Sequence, residues 1–539
     1  MNELEGHGGD LAVAALRAYG VETMFTLSGG HVFPLYDAAE TTGMRILDTR
    51  HEQTAVFAAE GTAKLTRRAG LAVLTAGPGV TNGVSGVTTA YFNGSPVVVL
   101  GGRAPQWRWG AGSLQELDHV PLLATVTKHA ATVTDVESVA DAVGGAAATA
   151  LQPHRGPVFL DLPMDVVFSR ATVTVPEAAS PEILEPDADE VSRAAALLAG
   201  ADRPVMVAGS DVYAGGAEAA LVAAGEAMQV PVFTNGMGRG CIPGDHPLAF
   251  ARTRGKAFKG ADVVVVVGTP LDFRLAFGAF GDAAVVHVVD APSQRAAHVQ
   301  VAAAPAGDLR AILTAFAHHA GERADHQPWI DDLRQSELAA RAAETDLLDT
   351  DADPIKPARI YGELRRVLDR DAVVVGDGGD FVSYAGRYLD ASVPGCWLDP
   401  GPYGCLGTGP GYAIAARLAR PSSQVCLLLG DGAAGFSLMD VDTMVRHRLP
   451  VVMVMGNNGI WGLEKHPMRA VYGYDVAADL QPGLRYDDVV VALGGAGEVV
   501  EKPGEIGPAL RRAFDAGVPY LVNVLTDPTD AYPRSANLA

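Results

Sequence analysis

The sequence predicts an α/β protein with three doubly wound, parallel-sheet domains, and three observations carry that expectation. Short apolar runs recur along the chain: "LAVLTA", "PVVVL", "GPVFLDL", "RPVMVAG", "ADVVVVVG", "AVVHVVD", "DAVVVGDGG", "SSQVCLLLGDG" and "LPVVMVMGNN". Each is hydrophobic on both faces, as parallel strands covered by helices must be. Alanine-rich stretches of helical length separate them, and several runs end in Gly, Asp or Asn, at the carboxyl edge where open α/β sheets bind ligands. Two proline- and acid-rich segments divide the series: "TVTVPEAASPEILEPDADE", from Thr172 to Glu190, and "AAETDLLDTDADPIKPAR", from Ala342 to Arg359. Both read as linkers.

The linkers set domains at 1–175, 188–345 and 355–539, in keeping with 539 residues at ordinary domain sizes. With 48% hydrophobic residues the chain can fill large cores, and its net charge of −22 argues against a nucleic-acid or anionic-membrane partner. Cys241, Cys396, Cys405 and Cys426 are scattered, with no CxxC pair and no partnering histidines, so neither a zinc site nor a disulfide framework is indicated. That fits a reducing cytoplasm. "MNELEGHGGDLAVAALRAYGV" lacks a basic region followed by an apolar core, and no segment carries about 18 uninterrupted apolar residues, so a soluble, unexported protein is expected.

In the first domain, "RHEQTAVFAAEG" (Arg50 to Gly61) places Glu52 where "MRILDT", read as a buried strand, gives way to an apolar helix. A carboxylate leaving water there costs several kcal/mol unless a partner accepts or shares its proton. Taken alone, Glu52 is also explained as a charge favoured at a helix N-terminus.

In the third domain, "VCLLL" ends in Gly430-Asp431-Gly432 and "VVMVM" ends in Gly456-Asn457-Asn458-Gly459. One helical crossover, "AAGFSLMDVDTMVRHRLP", joins them, so both ends fall on the same edge of a parallel sheet and Asp431 and Asn458 converge. Two oxygen side chains and a backbone carbonyl suit Mg²⁺, which takes its remaining ligands from phosphates. The glycines let backbone approach a diphosphate, and a helix starting near Ala434 would offer it free N–H groups.

This GDG–crossover–NN pattern resembles the signature of the thiamine diphosphate (ThDP) enzymes of the decarboxylase/carboligase type. The resemblance runs over nearly the whole chain and implies pyrimidine-binding, central and diphosphate-binding domains in that order. It implies that Asp431, Asn458 and the Ile460 carbonyl hold Mg²⁺. Gly430, Gly432 and Ala433, with Gly378, Gly379 and Asp380 at the end of "DAVVVGDGG", would then surround the diphosphate. It also gives Glu52 a partner, N1′ of the cofactor's aminopyrimidine, with which a carboxyl shares a proton to promote loss of the thiazolium C2 proton. "AGPGVTN" resembles the pyrimidine-side turn and brings Gly77 and Asn82. "GPYGCLGTGPGYA" resembles the segment whose large apolar residue bends the cofactor, here Leu406, a position that a core leucine would also explain. Family members place each cofactor between two subunits, which implies a homodimer or a dimer of dimers.

In detail the chain resembles the acetolactate-synthase-like branch, which includes benzaldehyde-lyase-like and 2-hydroxyacyl-CoA-lyase-like enzymes. "LSGGHVFPLYD" has His31 after Gly30, where lyase-type relatives carry a histidine facing the reacting carbon, and "SLQELDHV" puts Gln115 where they have an active-site glutamine. "VVGTPLDFRLAFG" resembles a synthase segment whose arginine, here Arg274, receives the carboxylate of a second 2-keto acid. Trp461 and Glu464, beyond Asn458, fall on the implied substrate side, in a stretch that departs from the synthases' acceptor-recognition segment. The resemblance leaves FAD open: synthases use it structurally in the central domain, but Pro270 stands where an arginine is expected and "NGMGRG" only loosely resembles the flavin loop. The implied activity is ThDP- and Mg²⁺-dependent carboligation of a 2-keto acid such as pyruvate onto a second 2-keto acid or an aldehyde. The rival is a lyase acting on 2-hydroxy ketones or 2-hydroxyacyl-CoA. A catalytically silent ThDP-binding regulatory subunit is the reading from another class, and intact Glu52, Asp431 and Asn458 oppose it.

Overall fold

In the computed structural model, which describes residues 3–532, each long valine- or leucine-rich run forms a strand of one of three parallel sheets. The N-terminal sheet runs, in spatial order, Arg45–Asp48, Thr23–Thr26, Gly70–Leu74, Val97–Arg103, Val158–Pro163 and His129–Thr132. The C-terminal sheet runs Trp397–Leu398, Val373–Asp377, Val425–Gly430, Val452–Asn457, Tyr520–Leu525 and Ala496–Val500. Numbered along the chain within each sheet, both read 2-1-3-4-6-5. The central sheet, Val232–Thr234, Pro204–Ala208, Val263–Val267 and Ala284–Val288, repeats the 2-1-3-4 part. Doubly wound sheets of this order open a crevice outside the carboxyl ends of strands 1 and 3.

Local departures from the sequence expectation have physical causes. "MRILDT" forms Arg45–Asp48, an edge strand with only Leu47 buried, not a buried strand. Its polar residues suit the open edge. Thr172–Thr174 is not linker: Arg170–Thr174 pairs antiparallel with Glu3–His7 and ties the two ends of the first domain together. The second linker is also half helix, because Gln327–Leu348 continues through its acidic residues. Glu344 there is buried and bonded to Arg252 Nε (3.1 Å) and Arg387 Nε (2.9 Å), so its charge serves an ion-pair network. The crossover after Asp431 is three pieces, Asp431–Ser437, a 3₁₀ turn Leu438–Asp440, and Val441–Arg446. Its first helix starts at Asp431, not near Ala434. At the break, Asp440 Oδ1 accepts the Arg50 backbone N–H at 2.7 Å, which ties the crossover to the N-terminal domain.

The terminal domains also meet where helix Glu52–Thr66 packs on helix Thr408–Ala419. Fully buried Glu60 accepts from Tyr412 OH (2.8 Å), Asn93 Nδ2 (2.8 Å) and Ser95 Oγ (3.0 Å), and Lys64 Nζ lies 2.9 Å from it. Removing one partner of such a buried charge costs about 3–5 kcal/mol, so this network helps hold the two domains together. All four cysteines are free, and among the described residues no helix is long and apolar enough to cross a membrane.

Candidate active site

The crevice of the C-terminal sheet opens into a cavity of about 470 Å³. Strand 3 delivers Asp431, which is buried, with Oδ2 accepting the Gly459 N–H at 2.8 Å. Asn458, at the end of the neighbouring strand, accepts the Ile460 N–H at 3.2 Å. Burial pushes the Asp431 carboxyl up to about 6, against backbone N–H groups of Gly459, Gly432, Asp431 and Asn458 that hold it down. Strand 1 delivers Gly378, whose φ of +78° requires glycine; a Cβ there would also lie 2.6 Å from that of Ala433. Gly379, Asp380, Gly430, Gly432, Ala433, Asn458 and Ile460 line the same cavity. Leu406 is half-buried on its wall, so it is not a core leucine. Trp461 packs against Gly432, and exposed Glu464 stands at the rim.

Sequence reasoning overlooked Asp377, which presents Leu406. This buried carboxyl accepts the N–H groups of Gly407 (3.0 Å) and Gly409 (2.9 Å). Burial pushes it up to about 7, while those N–H groups and that of Thr408 favour the charge. The central domain contributes Phe273 and Arg274 to the cavity. Arg274 does not stand as a guanidinium without an anion: its Nε lies 3.0 Å from both oxygens of Asp272, and Nη2 lies 2.6 Å from Oδ2. Asp272 caps the short turn that carries Arg274 and so reaches its head group.

The crevice of the N-terminal sheet holds the other sequence candidates. Glu52 opens helix Glu52–Thr66 and is only 6% exposed; Asn82 Nδ2 donates to its Oε2 at 3.0 Å. Its Oε1 lies 3.8 Å from where a Gly79 Cβ would be. His31, also buried, places Nδ1 3.1 Å from Thr75 Oγ1. Burial lowers its pKa, a backbone hydrogen bond with Leu114 opposes that shift, and nearby His119 adds to it. Gln115 sits over Gly77, where an added Cβ would approach the Gln115 Cβ to 2.8 Å. Gly30 is exposed at the start of the turn that carries His31. Thus Gly30, His31, Glu52, Gly77, Asn82 and Gln115 form one group, and Arg274 and the C-terminal residues form another. None of residues 1–175 lines the 470 Å³ cavity.

Family models match all three domains: the thiamine pyrophosphate enzyme N-terminal TPP binding domain over residues 6–122, the central domain over 191–316, and the C-terminal TPP binding domain over 377–524. The chain belongs to the thiamine pyrophosphate enzyme family. It is 54% identical over 538 residues to a probable acetolactate synthase of Mycobacterium bovis and to the acetolactate synthase large subunit IlvG of Mycobacterium tuberculosis, covering 99% of this chain and 98% of each relative. It is 33% identical to human 2-hydroxyacyl-CoA lyase 2 over 97% of this chain and 90% of that protein. The residues present fit thiamine diphosphate in two halves. The glycine-lined C-terminal cavity, with the buried Asp431 carboxylate beside the Asn458 amide oxygen, fits a metal-bridged diphosphate. The N-terminal group fits the pyrimidine, because it offers a buried carboxyl with one oxygen already held by Asn82.

Proposed function

We propose that the chain is a ThDP- and Mg²⁺-dependent carboligase of the acetolactate-synthase kind, acting in the cytoplasm as a homodimer or dimer of dimers. It would decarboxylate a 2-keto acid such as pyruvate and join the remaining carbons to a second 2-keto acid or an aldehyde. The observation that carries this reading is the buried Glu52, held at one oxygen by Asn82, on a chain 54% identical over nearly its full length to acetolactate synthases. When bound, ThDP would supply a carbon nucleophile for the keto group and a cationic ring that accepts the electron pair left by decarboxylation. Glu52 shares a proton through Oε1. Asp431, Asn458 and the Ile460 carbonyl bind Mg²⁺; Gly378 and Gly432 admit the diphosphate; Leu406 orients the cofactor between the halves. Arg274 receives the acceptor carboxylate, exchanging part of its contact with Asp272, while Trp461 and Glu464 flank the substrate. The reading leaves flavin open: Pro270 offers no guanidinium, but Lys128, His154 and Arg155 line the adjoining cavity of about 990 Å³ together with Asp211.

A lyase acting on a 2-hydroxy ketone or 2-hydroxyacyl-CoA is the second reading, and buried His31 beside Gln115 favours it: a neutral imidazole can take a proton from a substrate hydroxyl. Incubation of the purified protein with Mg²⁺, ThDP and pyruvate, followed by product mass spectrometry, tests the first reading by formation of acetolactate. No acetolactate, together with rapid His31-dependent cleavage of a 2-hydroxyacyl-CoA, installs the second.

A further inference from the structure

We propose that His119 is a positioning residue: as a neutral imidazole it clamps the Gly77 turn and, through that turn, sets Gln115 and His31. The inference rests on the ThDP reading of the N-terminal half-site. His119 is fully buried; the Gly77 N–H donates to its Nε2 at 3.0 Å, and its Nδ1 lies 2.9 Å from Asp161 Oδ1. Because Nε2 accepts, the ring proton sits on Nδ1 and is donated to Asp161. Asp161 is also fully buried, but its countercharge comes from elsewhere. Arg103 Nη1 lies 2.5 Å from its Oδ2 and 3.1 Å from Asp118 Oδ1, a largely exposed carboxylate, and that guanidinium stacks 3.8 Å from the Trp109 ring centre. With the carboxylate paired to arginine, the imidazole needs no second proton, and a second proton would turn Nε2 into a donor facing the Gly77 N–H.

The clamp reaches the reacting side in two directions. Gly77 holds φ +59° and ψ −113°, and Gln115 sits against it at φ +59°, a left-handed conformation unfavourable to any residue with a Cβ. Such a conformation persists only where the surroundings impose it, and His119 pins the far end of the segment that carries Gln115 onto the same turn. On the other side, Thr75, two residues before Gly77, engages His31, and His31 meets the backbone of Leu114. Gly77 also precedes the helix Pro78–Phe92, whose Asn82 holds Glu52. One buried acceptor atom therefore sets the turn around which three candidate catalytic side chains are arranged.

Two substitutions in the full-length protein separate the atoms. His119→Asn keeps a donor for Asp161 but cannot reach Gly77, whereas His119→Gln can place an oxygen where Nε2 was. In cofactor-free protein, amide exchange of residues 75–82 should quicken at least tenfold in His119→Asn and return to within about threefold of wild type in His119→Gln. With saturating Mg²⁺ and ThDP, kcat per titrated site should fall at least tenfold in His119→Asn and recover in His119→Gln, while Mg²⁺–ThDP affinity changes less than kcat. Wild-type exchange in His119→Asn, or loss of activity only in proportion to loss of folded protein, overturns the proposal. If His119→Asn does not fold, wild-type exchange at Gly77 decides: protection like that of Leu71–Leu74 supports the clamp, and loop-like exchange overturns it. If the wild type performs neither carboligation nor cleavage, the functional reading fails while the exchange data still judge the clamp.

Discussion

Replacing Glu52 by glutamine tests the N-terminal half-site at a single atom. The side chain keeps its size, and Asn82 Nδ2, now 3.0 Å from Oε2, can still donate to the amide oxygen. The structural cost is the difference between a charge-assisted and a neutral hydrogen bond, about 1 kcal/mol, which leaves the domain folded. The functional cost is larger, because an amide has no carboxyl proton to share. Positioned proton transfer is worth about 10²–10⁴-fold, so turnover should fall by roughly that factor, equivalent to about 3–5 kcal/mol of barrier. Mg²⁺–ThDP affinity should change little, since the metal-side residues belong to the other sheet. The decisive assay is exchange of the cofactor's C2 proton for deuterium, which isolates activation from substrate chemistry. Exchange at the wild-type rate in Glu52→Gln would refute the role assigned to this carboxyl.

Asp431→Ala should abolish Mg²⁺-dependent ThDP binding measured by calorimetry, and normal affinity would move the metal elsewhere. Arg274→Ala should lower kcat/KM at least tenfold for a 2-keto acid acceptor, a loss of about 1.4 kcal/mol, and leave an aldehyde acceptor nearly unaffected; equal losses for both would make the Asp272 pair purely structural. At the seam between the first two domains, His154 Nδ1 lies 3.0 Å from Asp290 and 3.9 Å from Asp211. Burial opposes the His154 charge, but Asp211 and Asp290 outweigh burial and Lys128 and raise it to about 9; burial and Asp290 raise Asp211 to about 7 against His154 and Arg155. Both groups bind protons more tightly folded than unfolded, so their stabilisation is full at acid pH and lost as pH rises through about 7 and then 9. Melting temperature should drop over that window and drop less in His154→Leu; parallel curves would reject the linkage. Mixing inactive Glu52→Gln with inactive Asp431→Ala, under conditions of subunit exchange, should restore about a quarter of wild-type activity if each site takes one half from each of two chains. No recovery despite exchange would place both halves of a site in one chain.

The strands were legible because five-residue valine and leucine runs admit few other structures, and the cofactor residues because they sit at the ends of those runs. What escaped was set by distant partners. Nothing local in "AAETDLLDTDADPIKPAR" announces that Glu344 will be buried between Arg252 and Arg387. Asp272 precedes Arg274 by only two residues, yet its reach to the guanidinium depends on the turn it caps. His119 looks like any histidine in a loop; its one sequence signal is Asp161 at the carboxyl end of "GPVFLDL", a strand-end carboxylate in need of a partner.

The equal strand order of the terminal sheets gives the arrangement its logic. Each sheet opens a crevice at the same topological place, one furnished with Glu52 and its neighbours, the other with Asp431 and its glycines. Within one chain the contact between the domains is already used, since Glu60, Lys64 and Tyr412 lock helix to helix and Arg50 donates to Asp440. Gln53 faces that seam, beside Gly407. Glu52 precedes it on the helix, about 100° around, and is directed to Asn82 and Gly79. On the proposed reading, a cofactor that touches both Glu52 and Asp431 would take its N-terminal crevice from a second copy, which presents the same surface at no cost in new sequence.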